Sequence, residues 1–171
     1  GEEVIAGSGQ RGMLALGGHI PLGYYKDPEK SAGTFREFNG QRYSIPGDWA
    51  TVETDGTITL LGRGSVCINS GGEKIYPEEV EEAVKMIASV NDCLVVGVPD
   101  ERFGESVAAV IAANDENAVT LDAVAEATSH LARFKTPRHL VIVKEIPRGP
   151  NGKADYRWAK TTARNKLGLD S

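Results

Sequence analysis

The sequence predicts an α+β protein in which a β-rich first part precedes a compact unit of helices and strands. Residues 50–61 read as two strands around Asp55-Gly56, the strongest short hairpin signal in the chain. Residues 93–98 and 107–111 are continuous apolar runs, which are typical of buried strands. Between these regions, apolar residues recur at the spacing of one helix face, at Val80, Ala83, Val84 and Ile87.

The predicted elements of the first part are short and are separated by glycines. Besides the hairpin, runs of β-forming residues predict strands at residues 13–16 and 42–45. Residues 28–31 predict a single helical turn, and we expect no other helix before residue 76.

From residue 76 onward, the pattern predicts alternating helices and strands. A helix opens at Tyr76-Pro77, because proline suits the first helical turn and the acids that follow stabilise the helix dipole. Residues 99–104 form the loop between the two apolar strands. The remaining predicted elements are a helix capped by Thr120, a strand at residues 139–143, and a helix from about residue 155 to residue 166 that stops at Gly168.

The composition excludes several classes of protein. With 40% hydrophobic residues the chain is globular, and its net charge of −5 provides no basic surface for nucleic acid. No apolar run approaches the roughly 20 residues that span a bilayer. Cys67 and Cys93 lack metal-ligand spacing and lie in apolar stretches, so we expect small buried side chains in a reducing cytoplasm. The start at Gly1, without an initiator methionine, predicts a cut through a longer protein.

Several motifs fail once their context is considered. Residues 7–12 match G-x-G-x-x-G, but a predicted strand follows where a dinucleotide site needs a helix. Asn151-Gly152-Lys153 resembles the end of a P-loop, yet Pro147 and Ala154 replace the first glycine and the magnesium-binding hydroxyl. The acids of residues 78–82 are explained by the helix dipole rather than by a metal. The histidines are isolated, with no predicted Ser or Cys partner: His19, His130 and His139.

Two basic residues lie where functional side chains are common. Arg63 lies between glycines at the end of a hairpin strand, where a ligand can approach the backbone closely. Lys153 lies in a turn-rich loop between the last strand and the last helix, and loops carry functional side chains more often than cores. Since an exposed lysine is more commonly a solvated charge, neither residue assigns a function alone.

Short motifs also follow one another along nearly the whole chain: Gly23-Tyr24-Tyr25, Gly47-Asp48, Asp55-Gly56, Leu61-Gly62-Arg63, residues 70–81, residues 96–100, Gly104-Glu105, residues 134–138 and Asn151-Gly152-Lys153. In this order they resemble the adenylate-forming superfamily, which includes acyl- and aryl-CoA synthetases, peptide-synthetase adenylation domains and luciferases. The stretch Gly-Gly-Glu-Lys-Ile-Tyr-Pro-Glu-Glu at residues 71–79 looks most like the fatty-acid–CoA ligases.

The resemblance implies two domains. Residues 1–63 correspond to the end of a large N-terminal domain with β-barrel strands, and residues 64–171 to a mobile C-terminal α+β domain. In the family, the phosphate loop and the acyl pocket precede residue 1, so we expect this chain alone to be inactive. The identity of the acyl substrate (a fatty, aryl or steroid acid) is likewise not encoded here. Because barrel strands without their barrel expose edges and apolar faces, we expect disorder or a strand-mediated dimer in the first sixty residues.

The resemblance also assigns roles to single residues. Asp48 and Arg63 correspond to contacts with the ribose of ATP, and Lys153 to the lysine that bridges the substrate carboxylate and the nucleotide. A cation between these two anions stabilises the charge of the adenylation transition state. Gly71 and Gly72 correspond to a loop that lines the pantetheine tunnel for CoA. Ser65 corresponds to the hinge, where the family usually has Asp or Lys.

The implied reaction converts a carboxylic acid, ATP and CoA into acyl-CoA, AMP and pyrophosphate through an acyl-adenylate. Magnesium would accompany the nucleotide, with ligands outside this chain. Two alternatives stay open: a peptide-synthetase adenylation domain that serves a carrier protein, and a non-catalytic module that keeps the fold. Pro147 and Gly152-Lys153 fit a pattern that resembles the acetylated lysine site of bacterial acyl-CoA synthetases, so a lysine acetyltransferase is an expected partner.

Overall fold

The computed structural model describes residues 2–150 and 152–169. The chain divides into two compact units, Gly1–Ser65 and Val66–Ser171. Asn151 of the predicted Asn-Gly-Lys motif lies outside the described residues, as do Gly1 and Ser171 at the ends of the two predicted domains. The assignment of the first unit to the end of a larger domain stays a prediction.

The first unit is built from short strands and one short helix: β1 Gly12–Met13, α1 Pro28–Thr34, β2 Phe35–Phe38, β3 Gln41–Ser44, β4 Asp48–Val52 and β5 Ile58–Arg63. Strand β4 pairs antiparallel with both β1 and β5, and β2 pairs antiparallel with β3. Both sheets are open rather than closed on themselves. The predicted hairpin is confirmed, since Asp55 accepts from the Thr57 amide at 2.9 Å and Gly56 has a φ of +84°.

Two predictions for this unit were wrong in extent. The predicted strand at residues 13–16 ends at Met13, and Leu16 forms a single bridge with Ser44. The predicted single turn at residues 28–31 is a helix of 7 residues. The Asp27 side chain caps this helix by accepting from the Lys30 amide at 3.0 Å, which stabilises its first turn.

The second unit alternates helices and strands: β6 Ile68–Ser70, β7 Glu73–Ile75, α2 Pro77–Lys85, β8 Val90–Asp100, β9 Gly104–Ala113, α3 Leu121–Ala127, β10 His139–Val143 and α4 Tyr156–Leu167. Strand β9 is central, because it pairs antiparallel with β8, parallel with β10, and with β6 through Ser70 and Gly104. The predicted hairpin of β8 and β9 is confirmed, and so are the Thr120 cap and the Gly168 stop.

Alternate residues of the central strands face two separate apolar clusters. Val95, Ala109 and Ile111 pack with the buried residues of α2 and α3, whereas Ala108 and Val110 pack with the buried residues of α4. A sheet covered on both faces needs apolar residues at every position, which explains the continuous apolar runs of β8 and β9. The sheet is therefore a rigid support from which the loops of this unit project.

The first unit has far fewer buried apolar residues, namely Ile45 and Ala50. Several of its large apolar side chains are exposed instead: Ile5, Met13, Leu16, Leu22, Tyr24, Tyr25, Ile58 and Leu60. An open, mainly apolar cavity of about 470 Å³ lies beside Met13 and Ile58. Within residues 2–150 and 152–169, no helix has the length and apolar character needed to cross a membrane.

Candidate functional site

Asp48 and Arg63 lie side by side at one end of the β4–β5 hairpin. They are register partners, and Arg63 Nε donates to Asp48 Oδ1 at 3.0 Å. The Arg63 side chain is 57% exposed and that of Asp48 is 23% exposed. An ion pair with this much exposure contributes about 0–1 kcal/mol to stability, and the contact of these residues with the ribose stays a prediction.

The backbone directly after Arg63 is confined by an aromatic ring. A Cβ on Gly64 would lie 2.7 Å from Trp49 Nε1, so a side chain at this position would displace the indole. Ser65 follows as an exposed residue in a single 3₁₀ turn, Gly64–Val66, and it is the last residue of the first unit. The hinge role of Ser65 stays a prediction.

Gly71 and Gly72 form the two-residue turn between β6 and β7. Their φ angles of +59° and +88° are those of a type I′ turn, which suits glycine at both positions. The Gly71 amide donates to the Phe103 carbonyl at 2.9 Å, and a Cβ on Gly71 would lie 3.0 Å from the Phe103 ring. A Cβ on Gly72 would meet nothing within 4 Å. One side of the turn is therefore packed, and the other is open to a ligand.

Lys153 lies in what we term the Lys153 loop, residues 147–155, between β10 and α4. The Gly149 amide donates to the Lys153 carbonyl at 3.0 Å, and the Gly152 amide donates to the Gly149 carbonyl at 2.8 Å. Arg148 and Ala154 form a bridge across the base of the loop. The described residues of the loop are thus joined by hydrogen bonds, and Lys153 is exposed among them.

The Lys153 loop and the Gly71-Gly72 turn lie at opposite ends of the β8–β9 hairpin. The loop is bonded to Asp92 near the start of β8, and the turn packs on Phe103, just beyond Asp100 at its end. At ~3.3 Å per strand residue, the span from Asp92 to Asp100 separates them by about 25 Å. One small ligand could not touch both motifs at once.

The sequence did not single out the groups that hold the Lys153 loop. Arg148 Nε donates to Asp92 Oδ2 at 2.9 Å, although the two residues are 56 positions apart. Glu81 is buried, and it accepts from the Val95 amide at 2.9 Å and from the Tyr156 hydroxyl at 3.2 Å. Loss of solvent raises the pKa of Glu81 to about 7 and raises the pKa of Tyr156 as well.

The prediction that every histidine lacks a Ser or Cys partner was wrong for His139. Its Nε2 lies 3.0 Å from Ser106 Oγ, and these residues lie on the adjacent strands β10 and β9. Ser106 is 1% exposed, so it cannot meet a substrate, and the contact joins two strands. Of the cysteines, Cys93 is buried as predicted, and Cys67 is half-buried.

The predicted acidic helix start is confirmed, with Glu78 and Glu79 in the first turn of α2. Glu79 also accepts from Lys135 Nζ at 2.6 Å, which connects α2 to the segment before β10. Among the described residues, no group of three or more His, Cys, Asp and Glu side chains is placed to hold a metal ion.

The sequence has close relatives among the CoA ligases. It is 62% identical over 161 residues to the 3-oxocholest-4-en-26-oate–CoA ligase of Rhodococcus rhodochrous, a match that covers 94% of this chain and 29% of the relative. It is 60% identical to a medium/long-chain-fatty-acid–CoA/3-oxocholest-4-en-26-oate–CoA ligase of Mycolicibacterium smegmatis, with the same 94% and 29% coverage. The chain thus spans about 29% of the length of these relatives.

Solved structures and a family profile agree with these relatives. ATP-bound MatB from Rhodopseudomonas palustris superposes with a TM-score of 0.78 at 29% identity, covering 97% of this chain and 32% of MatB. The amide bond synthetase McbA from Marinactinospora thermotolerans superposes with a TM-score of 0.79 at 28% identity, covering 94% and 32%. Residues 79–153 match the family described as AMP-binding enzyme C-terminal domain. These comparisons agree with the resemblance to the adenylate-forming enzymes, and the match to the AMP-binding C-terminal domain lies within the second unit.

Proposed function

We propose that this chain works as part of an ATP-dependent acyl-CoA ligase, which joins a carboxylic acid to CoA through an acyl-adenylate. The observation that carries the proposal is the placement of the Lys153 loop and the Gly71-Gly72 turn at opposite ends of one rigid hairpin. Two motifs about 25 Å apart suit two steps that follow one another, with the second unit reoriented between them. The 62% identity to a CoA ligase supports the same reaction.

In the first step, a carboxylate oxygen of the acid attacks the α-phosphorus of ATP and pyrophosphate leaves. The Asp48 carboxylate accepts from the ribose hydroxyls, and Arg63 beside it donates to the same sugar. Lys153 bridges the carboxylate and the nucleotide, where its charge stabilises the transition state. Magnesium accompanies the nucleotide, and its ligands lie outside this chain.

In the second step, the CoA sulfur attacks the carbonyl carbon of the adenylate and AMP leaves. The open side of Gly72 lets the narrow pantetheine arm pass close to the backbone. Ser65 is the hinge about which the second unit rotates between the two steps. The rotation replaces the Lys153 loop with the Gly71-Gly72 turn at the reaction site.

The names of the relatives indicate the class of acid. The two ligases act on 3-oxocholest-4-en-26-oate, and the second also on medium- and long-chain fatty acids. We therefore expect a fatty acid or a steroid side-chain acid as the substrate. A peptide-synthetase adenylation domain and a non-catalytic module are the alternatives, and the presence of Asp48, Arg63 and Lys153 argues against the second.

The test uses a chimera in which this chain replaces the matching segment of the Rhodococcus ligase. Lys153→Ala should slow ATP–pyrophosphate exchange by about 10²–10³-fold, because one preorganised charged donor is lost from the transition state. Acyl transfer from a supplied adenylate to CoA should continue at close to the original rate. Acetyl-lysine installed at position 153 should act like alanine, since it also lacks the charge.

Lys144→Ala is the matched control, because Lys144 is an exposed lysine shortly before the loop and it should leave both steps unchanged. Equal slowing of both steps by Lys153→Ala would contradict the assignment of this residue to adenylation. An unreactive chimera with intact ATP binding would instead favour the non-catalytic module.

Three further partner and location assignments belong to this proposal. A lysine acetyltransferase acts on Lys153, and the half-buried and buried thiols of Cys67 and Cys93 suit a reducing cytoplasm.

Copies of the isolated chain associate through the exposed face of β5, where Ile58 and Leu60 are 58% and 61% exposed. Sedimentation should show this association weakened when both residues are changed to lysine, and an unchanged association would exclude this face.

A further inference from the structure

We infer that Arg148 and Asp92 are positioning residues that hold the Lys153 loop in the geometry that adenylation requires. The inference rests on the proposed role of Lys153, and it assigns the control of that residue to an ion pair on the edge of the sheet. Neither residue belongs to the motifs that carry the substrate contacts.

The Arg148–Asp92 pair has the geometry of a two-point attachment. Arg148 Nη2 lies 2.8 Å from both carboxylate oxygens of Asp92, and Nε lies 2.9 Å from Oδ2. The remaining nitrogen, Nη1, donates to the Gly152 carbonyl at 3.2 Å. One planar guanidinium therefore joins strand β8 to the residue directly before Lys153, which the compact ammonium of a lysine could not do.

The Asp92 end of this attachment is fixed to the core. Asp92 Oδ1 accepts from the Cys93 amide at 2.9 Å, and the Cys93 side chain is fully buried. Asp92 itself pairs with Ala112 in the β8–β9 ladder. Displacement of the loop relative to the sheet would therefore break several charge-assisted hydrogen bonds at once.

The other end of the loop leads into α4, which is hydrogen-bonded to helix α2. The Tyr156 hydroxyl donates to Glu81, and Asp155 caps α4 by accepting from the Trp158 amide at 2.9 Å. Between these two ends, the Gly149 amide donates to the Lys153 carbonyl, and the Gly152 carbonyl accepts from Arg148. Arg148 controls the latter directly.

The Arg148–Asp92 pair lies at the surface of the second unit, so its effect on the loop has to be separated from its effect on stability. The side chains of Arg148 and Asp92 are 38% and 22% exposed, similar to the 47% and 27% of the Lys160–Glu105 pair elsewhere in the same unit. Most surface pairs contribute about 0–1 kcal/mol to stability, and a bidentate Arg–carboxylate pair such as this one can contribute more than most. Lys160–Glu105 offers a matched control, because it is an ion pair of similar exposure that joins α4 to β9.

The first measurement needs no activity and uses the 171-residue chain. Amide hydrogen exchange by NMR is compared for Gly149 and Gly152, whose amides donate within the loop. Arg148→Lys and Asp92→Ala should each speed their exchange about tenfold, because the loop opens more often. Lys160→Met should leave these two amides unchanged. Equal exchange in all four proteins would overturn the inference.

The second measurement uses the chimera and separates positioning from general damage. Arg148→Lys and Asp92→Ala should lower the kcat of adenylation about 10- to 100-fold with little change in KM, because a small displacement of a reacting group is costly. Acyl transfer to CoA and the thermal midpoint should match those of Lys160→Met. Equal loss in both steps would indicate a structural role and overturn the inference.

The two proposals fail differently. If Lys153→Ala loses adenylation while Arg148→Lys and Asp92→Ala keep it, the positioning inference is wrong and the proposed function stands. If Lys153→Ala keeps full adenylation activity, the role of Lys153 is wrong and the positioning inference falls with it.

Discussion

Glu81 is a buried carboxyl of helix α2 that accepts hydrogen bonds from strand β8 and from helix α4. Burial is the largest cause of its raised pKa of about 7, and the nearby charge of Glu78 raises it further. The Val95 amide, the Tyr156 hydroxyl and the charge of Lys85 favour the ionised form and partly oppose this shift. At neutral pH the side chain is therefore divided between two charge states.

This shift predicts a stability that falls as the pH rises. The folded state holds the Glu81 proton from pH 4.5 up to about 7, whereas the unfolded state has already released it. The stabilisation is complete below pH 4.5 and is lost as the pH rises through about 7. At 1.36 kcal/mol per pH unit, the loss amounts to about 3 kcal/mol.

Glu81→Gln should remove this dependence, because an amide keeps an acceptor for Val95 and does not titrate. The measurement is the free energy of unfolding in urea at several pH values. Trp158 fluorescence, in a Trp49→Phe background, reports the unfolding of the second unit alone. If the two proteins lose stability equally between acidic and neutral pH, the assignment of the raised pKa to Glu81 is wrong.

The same residue shows the limit of reading single residues from sequence. Asp48, Arg63 and Lys153 were singled out because short motifs mark them. Asp48 and Arg63 lie together, and the roles of all three stay predictions. Glu81 was read with its acidic neighbours as part of a helix start, since nothing local distinguishes a buried acid from a solvated one. Its partner Tyr156 is 75 positions away, a pairing that the fold creates.

At the level of elements, the sequence predicted the ends of an element best where one or two residues set the backbone geometry. The predicted limits of α4 are close to Tyr156–Leu167, because Asp155 caps one end and Gly168 adopts the left-handed conformation at the other. The short elements of the first unit were predicted less well. Its strands are only 2 to 6 residues long, from β1 to β5. Such short strands carry a weak local pattern, so their limits depend on pairing with other parts of the chain.

The β6–β7 turn provides a prediction at this scale. Gly72→Leu should block acyl transfer to CoA and spare adenylation in the chimera, because the new side chain enters the open side of the turn. A residue with a side chain at a φ of +88° should also cost stability, on the order of 1–2 kcal/mol.

Gly40→Leu controls for that strain. Asn39 and Gly40 form the β2–β3 turn with φ angles of +51° and +75°, and a Cβ on Gly40 also meets nothing within 4 Å. This variant should lose a similar amount of stability while both steps continue. The measurements are pyrophosphate exchange and CoA consumption from preformed adenylate. Inhibition of transfer by both variants would show that strain, rather than the position of Gly72, is responsible.

Over the whole chain, the two units differ most in how many apolar residues they bury. The second unit contains both apolar clusters, whereas the first buries Ile45 and Ala50 and exposes larger side chains. Composition averaged over 171 residues conceals this difference, so hydrophobic content could not predict it. The strand patterns of the first unit were visible in the sequence, but the lack of a covering layer depends on the rest of the fold.

This asymmetry predicts that the two units differ in protection from hydrogen exchange. Amides of β8 and β9 lie between two packed layers, so they should exchange through global unfolding of the second unit. Amides of β4 and β5 lie in an open sheet with little buried apolar area, so local opening should expose them far more often. Exchange should therefore be at least about 10²-fold faster in the first unit, which corresponds to some 3 kcal/mol of opening free energy. The measurement is made on a fraction shown by sedimentation to be monomeric, because association through Ile58 and Leu60 would itself protect β5. Uniformly strong protection of both units in that monomer would show that the first unit is stable without a further layer over its apolar face.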